Sequence, residues 1–307
     1  MKKTKLLIDT DIGDEIDDAL ALYFAMRQGL DIVGITTVFQ NTDERARIAK
    51  RLIALYGNGY ESVPVYAGCG TPMAEADRKY GHTCHYTSEL ERVQYAPDGN
   101  NATDFIIEQC KKWGKDLTVV AIGPFTNIAK VIEKDPSALS KVNKVVIMGG
   151  AFFKQYADWN VSCDVKAADV MFKSLDNLEC IGADVTHKLP LDPEQFDELC
   201  RLDGNEAARE VSKLCRLWKE ATPNRLPALH DPLAIYYAVC PTVCQTKKQE
   251  IVTLTEGLGR GLTLNVTEYG KAWMNPAYKG EDRVPSHTVA YDVDKARFMD
   301  EFFLSMK

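Results

Sequence analysis

Lys5-Leu-Leu-Ile-Asp9-Thr-Asp11-Ile-Gly13-Asp-Glu-Ile-Asp17-Asp18-Ala-Leu-Ala-Leu22 decides the fold of this chain. A short apolar run ends in six acidic side chains within ten residues, and a helical pattern follows at once. Crowding carboxylates at one strand-to-helix turn raises their mutual repulsion, so a positive partner is expected among them. A hard divalent cation suits the run, because carboxylate oxygens favour Mg²⁺ or Ca²⁺ and no thiol or imidazole interrupts it. The alternative is a solvated acidic turn whose aspartates cap the helix.

Outward from this turn, strand-like and helix-like segments alternate. Residues 4–9, 31–38, 117–121, 143–148 and 178–183 are β-branched and almost continuously apolar, as in strands covered on both faces. Within 43–57, Ile48, Leu52 and Leu55 recur at helical spacing, and Phe298 and Phe302 do so near the C-terminus. The order predicts an α/β fold: an open, mostly parallel sheet flanked by helices, with right-handed crossovers. Residues 249–266, with Gly257-Leu-Gly259-Arg-Gly261 between apolar runs, predict a small C-terminal hairpin. No linker or repeat divides the chain, so residues 1–307 are expected to form one domain. The segments 68–101 and 221–229 are polar and turn-rich, and the first is a candidate loop over a site.

Asp9 and Asp11 follow the first strand and Asn41 the second. Gly123-Pro124 and Gly149-Gly150 follow two later ones. Open parallel sheets hold ligands at the carboxyl ends of their strands, so all of these should meet in one crevice.

Composition narrows the function further. A net charge of −7 and a pI near 5.4 lack the basic footprint of nucleic-acid binding. No apolar stretch approaches the span of a membrane helix, and the run after Lys2, Lys3 and Lys5 stops at Asp9, too early for a signal peptide. Nine scattered cysteines read as reduced core thiols, which suits the cytoplasm.

Six motifs in order resemble the inosine-uridine type nucleoside hydrolases over nearly the whole chain. They are Asp9-Thr-Asp11-Ile-Gly13 with Asp17-Asp18, Gly34-Ile-Thr-Thr-Val38 with Asn41, and Ala121-Ile-Gly-Pro-Phe-Thr-Asn-Ile-Ala129. Met148-Gly-Gly-Ala-Phe152, Asp158-Trp-Asn160 and Leu229-His-Asp231-Pro-Leu-Ala complete the set. The resemblance implies a Rossmann-like nucleoside hydrolase fold and Ca²⁺-dependent cleavage of the N-glycosidic bond of ribonucleosides to free base and ribose. By it, Asp11, Asp18, Asp231 and the Ile122 carbonyl resemble the Ca²⁺ ligands. Asp17, Asn41, Asp158 and Asn160 resemble the ribose-hydroxyl ligands, with Met148 near the sugar and Trp159 a wall of the pocket. Asp11 resembles the general base that activates a metal-bound water, and His230 the imidazole that assists the departing base. The resemblance also implies a homodimer or homotetramer, the usual state of such enzymes.

The pattern departs from that family in three places. The turn between Asp11 and Asp17 is two residues longer, which offers Asp14 and Glu15 as substitutes for the Asp17-Asp18 pair. Ala-Leu-Ala-Leu directly after Asp17-Asp18 favours that pair, because it starts the helix. Asp158 stands where many relatives carry Glu, and Gly81-His82-Thr-Cys-His85-Tyr lacks the usual His-Gly form of the flap. The alternative for His230 is a core histidine satisfied by backbone, in a His-Asp-Pro helix cap, but the expected ligand Asp231 beside it favours a place in the site. The rival enzyme class is a Mg²⁺-dependent phosphatase like the haloacid dehalogenases, which also open on Asp-x-Asp. A non-catalytic nucleoside or ribose binder on the same scaffold is the third reading.

Overall fold

The computed structural model describes residues 4–74, 83–267 and 284–307. The opening stretch forms strand β1 (Lys5–Thr10), and the helix begins at Asp17 as α1 (Asp17–Arg27). Leu6 and Ile8 point to one side of the sheet and Leu7 to the other, which is the period-two alternation of a strand covered on both faces. Next come β2 (Asp31–Thr37), α2 (Thr42–Tyr56) and the three-residue β3 (Val65–Ala67). The middle of the chain runs α3 (Ala102–Trp113), β4 (Leu117–Ala121), α4 (Thr126–Lys134) and β5 (Lys144–Met148). Then follow α5 (Trp159–Cys163), α6 (Val165–Ser174), β6 (Leu178–Ile181) and α7 (Ala183–Thr186). Helices α8 (Pro193–Leu199), α9 (Glu206–Ala221) and α10 (His230–Val239) lead to β7 (Cys244–Thr253), β8 (Thr263–Asn265), β9 (Ser286–Val293) and α11 (Lys295–Met306).

Nine strands make one sheet in the order β3-β2-β1-β4-β5-β6-β9-β7-β8. The pairs from β3 to β9 are parallel; β7 runs antiparallel to both β9 and β8. The expected hairpin is the β7–β8 pair, joined through residues 254–262. Strands β3 and β9 were not expected. Helices α1, α2, α9, α10 and α11 contribute to the core on one face, and α3, α4 and α6 to the core on the other. Phe298 and Phe302 dock α11 on Phe24 of α1, with ring centroids 6.4 and 5.5 Å from it.

The strand order reverses between β1 and β4, which is where an open α/β sheet leaves a crevice beyond its carboxyl ends. Three-ten turns and buried Leu90 and Tyr95 anchor 83–101 to the body, so this part of the expected loop is packed. His82 lies outside the described residues. Of the nine free cysteines, Cys69, Cys84, Cys200 and Cys240 are only half-buried, so the all-core expectation holds for the other five. Among the described residues no helix is long and apolar enough to cross a membrane.

Candidate active site

The site grows from the turn after β1. Asp17 and Asp18 open α1 with their side chains buried, where carboxylates also face the positive end of the helix. Asp231 opens the first turn of α10, and its backbone N–H donates to Asp17 Oδ2 at 3.4 Å. Ligand oxygens of Asp17, Asp18 and Asp231 lie within 4.8 Å of one another, all three residues buried. Asp17, assigned by resemblance to the ribose, thus joins Asp18 and Asp231 in one carboxylate cluster.

Asp11 borders this cluster. A Cβ on Gly123, directly after β4, would fall 2.9 Å from Asp11 Oδ1, so only glycine lets the two turns approach this closely. Burial, with Asp18 nearby, pushes the Asp11 carboxyl well above the usual range. Burial and Glu15 raise Asp17 to about 7, and burial and Asp17 raise Asp18 to about 8. Asp231 is also driven far up, by burial and then by Asp17. Four carboxylates that resist ionisation together are the electrostatic signature of a site made for added positive charge. Oxygen-only donors, closely set and buried, fit a hard divalent cation.

A cation of the protein's own already serves part of this need. Arg45 of α2 is 1% exposed and donates to the carbonyls of Phe39 (2.7 Å), Ile12 (3.1 Å) and Asp11, and to Asp14 Oδ2 (2.6 Å). Asp14 is therefore drawn to Arg45. Glu15 accepts from the Trp218 indole at 2.9 Å and from Arg225 at 3.0 Å. Both residues of the longer turn have other partners, while Asp17-Asp18 hold the buried helix start. The segment after residue 82 braces the turn, with the His85 N–H on the Gly13 carbonyl at 3.0 Å. The His85 ring itself is buried, and burial lowers it to about 3, so it is a core group.

The remaining expected residues lie around the same crevice. The Ile122 carbonyl, past the end of β4, accepts from Asn160 Nδ2 at 2.8 Å, which leaves a second lone pair available. Asn160 Nδ2 also reaches the Met148 carbonyl at 3.1 Å and its sulfur at 3.7 Å. Asp158 caps α5, accepting the Val161 N–H at 3.3 Å, and burial raises its carboxyl although several backbone N–H groups oppose the shift. Trp159 is half-buried against the cluster of Val38, Phe39 and Cys163. Asn41 stands at the start of α2, after Phe39 and Gln40 adopt left-handed backbone (φ 73° and 57°). His230 Nδ1 meets Thr186 Oγ1 at 2.7 Å, and burial lowers the imidazole to about 4, with His187 adding to the shift.

Several residues here carried no role in the sequence reading. Asp9 is buried between Thr36 and Asn127, both of which donate to its Oδ1, and burial raises it to about 7. Asn127 also reaches the Thr37 carbonyl at 3.0 Å. Thr186 and His187 follow β6, so the strand-end rule applied to Asn41 could have found them. Arg45 lies on the helix face of Ile48 and Leu52, and a charge in an apolar stripe is itself a signal.

Comparisons with known proteins agree with this geometry. The family model "Inosine-uridine preferring nucleoside hydrolase" matches residues 6–300. "Uridine nucleosidase 1" of Arabidopsis thaliana is 32% identical over 277 residues, covering 86% of this chain and 82% of that protein. "Inosine-uridine preferring nucleoside hydrolase" of Leishmania major is 30% identical over 276 residues, covering 85% and 87%. A solved "Plant nucleoside hydrolase" superposes with a TM-score of 0.84 at 27% identity, covering 99% of both chains. None of these matches supports the phosphatase or the non-catalytic binder. With its motifs in order, its switch-point crevice and these relatives, the chain belongs to the inosine-uridine preferring nucleoside hydrolase family and is an enzyme of N-glycosidic bond hydrolysis.

Proposed function

We propose that this enzyme hydrolyses uridine and inosine to free base and ribose with the aid of Ca²⁺. The observation that carries the reading is the buried meeting of Asp17, Asp18 and Asp231 beside Asp11 and His230 at the switch point of the sheet. In this reading Asp11, Asp18, Asp231 and the Ile122 carbonyl would hold the ion, and Asp17 would bind the ribose. When bound, the ion acidifies water and offers sites for ribose hydroxyls.

The chain's own groups do the rest. Asp11 takes the proton of the attacking water, a role that burial favours by raising the affinity of its carboxylate for a proton. The acid cluster stabilises the oxocarbenium-like charge that develops at C1′. Asp17, Asn41, Asp158 and Asn160 orient the ribose, Met148 packs on it and Trp159 walls the pocket. His230 stabilises the departing base. A preference for uridine and inosine is favoured by the likeness to the Arabidopsis uridine nucleosidase and the Leishmania inosine-uridine preferring hydrolase. We further read residues 1–307 as one domain of a cytoplasmic homodimer or homotetramer in nucleoside salvage.

The test is release of base and reducing sugar from inosine, uridine, cytidine, adenosine and guanosine, with a chelator and then with Ca²⁺ or Mg²⁺ restored. Chelator-sensitive release from uridine and inosine, restored by Ca²⁺, is the expected result. Full release in excess chelator overturns the metal reading, and no release from any nucleoside overturns the substrate.

A further inference from the structure

Thr186 ends α7, beyond the carboxyl end of β6, and its side chain is fully buried. A buried threonine hydroxyl has one proton to place. The usual acceptor on a helix is the carbonyl four residues back, here that of Gly182. That carbonyl already accepts the N–H groups of Val185 (3.1 Å) and Thr186 (3.2 Å). The hydrogen-bond partner of Thr186 Oγ1 among the described residues is His230 Nδ1, at 2.7 Å. The hydroxyl therefore donates to Nδ1, and a neutral ring so engaged carries its own proton on Nε2, at its far edge.

We infer that Thr186 is a positioning residue that fixes His230 as the Nε2–H tautomer, so that the ring presents a donor to the leaving base. The inference rests on the reading of His230 as the partner of that base. The ring is held in place as well as in tautomer. His187 packs edge-on against His230 with centroids 5.4 Å apart, and Tyr156 packs edge-on against His187 at 5.5 Å. Rotation of His230 would break the Thr186 bond and the contact with His187, which Tyr156 holds from its other side.

The chemistry needs this polarity. Hydrolysis breaks the C1′–N bond and forms a C1′–O bond to water. The bonding pair leaves on the base nitrogen, which an Nε2–H donor stabilises and a bare Nε2 would repel. The water proton goes to the Asp11 carboxylate and reaches the base by exchange with solvent, so neither the imidazole nor the hydroxyl is consumed.

The tautomer can be read directly in protein labelled with ¹⁵N-histidine, with His230→Gln used for assignment. The expected spectrum has a protonated Nε2 and a hydrogen-bonded, unprotonated Nδ1. Thr186→Val keeps the side-chain shape and removes the donor. It should lower kcat for uridine about 10²-fold, the scale for losing one aligned donor at developing negative charge. An activated p-nitrophenyl riboside, whose leaving group departs unaided, should slow by less than about threefold. Thr186→Ser should restore both the ¹⁵N pattern and the uridine rate. A proton on Nδ1 in the parent protein overturns the inference, as does an equal loss on both substrates in Thr186→Val. Failure of the substrate reading is separate: it shows as no uridine turnover by the parent enzyme, while the tautomer is still read from the spectrum.

Discussion

Replacing Arg45 by methionine removes a guanidinium buried under the acidic turn while keeping most of the aliphatic stem. Packing changes little, so the loss is one of donors. The carbonyls of Phe39, Asp11 and Ile12 lose their partner, and each buried acceptor left unsatisfied costs about 1–3 kcal/mol. The Asp14 pair adds little, because Asp14 is 37% exposed and an ion pair there is worth under about 1 kcal/mol. Relief from burying the guanidinium offsets part of the loss, so the net destabilisation is about 3–5 kcal/mol, as for other broken buried ionic networks. At roughly 2 °C per kcal/mol for a chain of this size, Tm falls by about 6–10 °C. Differential scanning calorimetry of Arg45→Met beside Asp14→Asn measures this, and the second variant should lose less than about 1 kcal/mol. If Arg45→Met unfolds within about 1 kcal/mol of the parent, the claim that Arg45 holds the Asp11 turn is wrong.

Asp11→Asn should keep the parent's circular dichroism and lower uridine turnover by at least about 10³-fold; a parent-like rate would remove Asp11 as the base. His230→Ala should slow uridine about 10²-fold or more and an activated p-nitrophenyl riboside far less, so equal losses would make the imidazole structural. Asp17 and Asp18 are raised to about 7 and 8, above the usual unfolded value near 4. From pH 4 to 8 the folded, cation-free protein thus binds more protons than the unfolded chain, and its stability falls as pH rises. Ca²⁺, which binds ionised carboxylates, should therefore raise Tm more at pH 8 than at pH 5.5, and equal increments by scanning fluorimetry would contradict the cluster's electrostatics.

Much of this fold could be read along the chain because the deciding elements are buried on both faces. The expected strands 31–38, 117–121 and 143–148 appear as β2, β4 and β5 within a residue at each end. Strand β3 spans only Val65–Ala67, too short to show a period. Strand β9 enters between β6 and β7, and its partners are more than a hundred residues away on the β6 side, so local pattern could not place it. The carboxylates were legible because crowded charge is costly anywhere. Arg45 and Thr186 carried local signals of position only; what each does was not legible, because each acts on a group remote in sequence: the carbonyls of residues 11 and 12, and the ring of residue 230.

The meeting of Asp17 with Asp231 spans 214 positions of the chain. During synthesis the first carboxylates leave the ribosome early, yet the partner that completes their cluster, Asp231, is made only when about three quarters of the 307 residues exist. Loop closure over such a distance is entropically demanding, and here it is opposed by the repulsion of the groups being joined. A divalent ion favours that closure, so ion capture marks the docking of α10 on the acidic turn. A nascent chain halted before residue 230 should carry the acidic turn and its helix but lack high-affinity ion binding, which makes the ion a reporter of when α10 has docked.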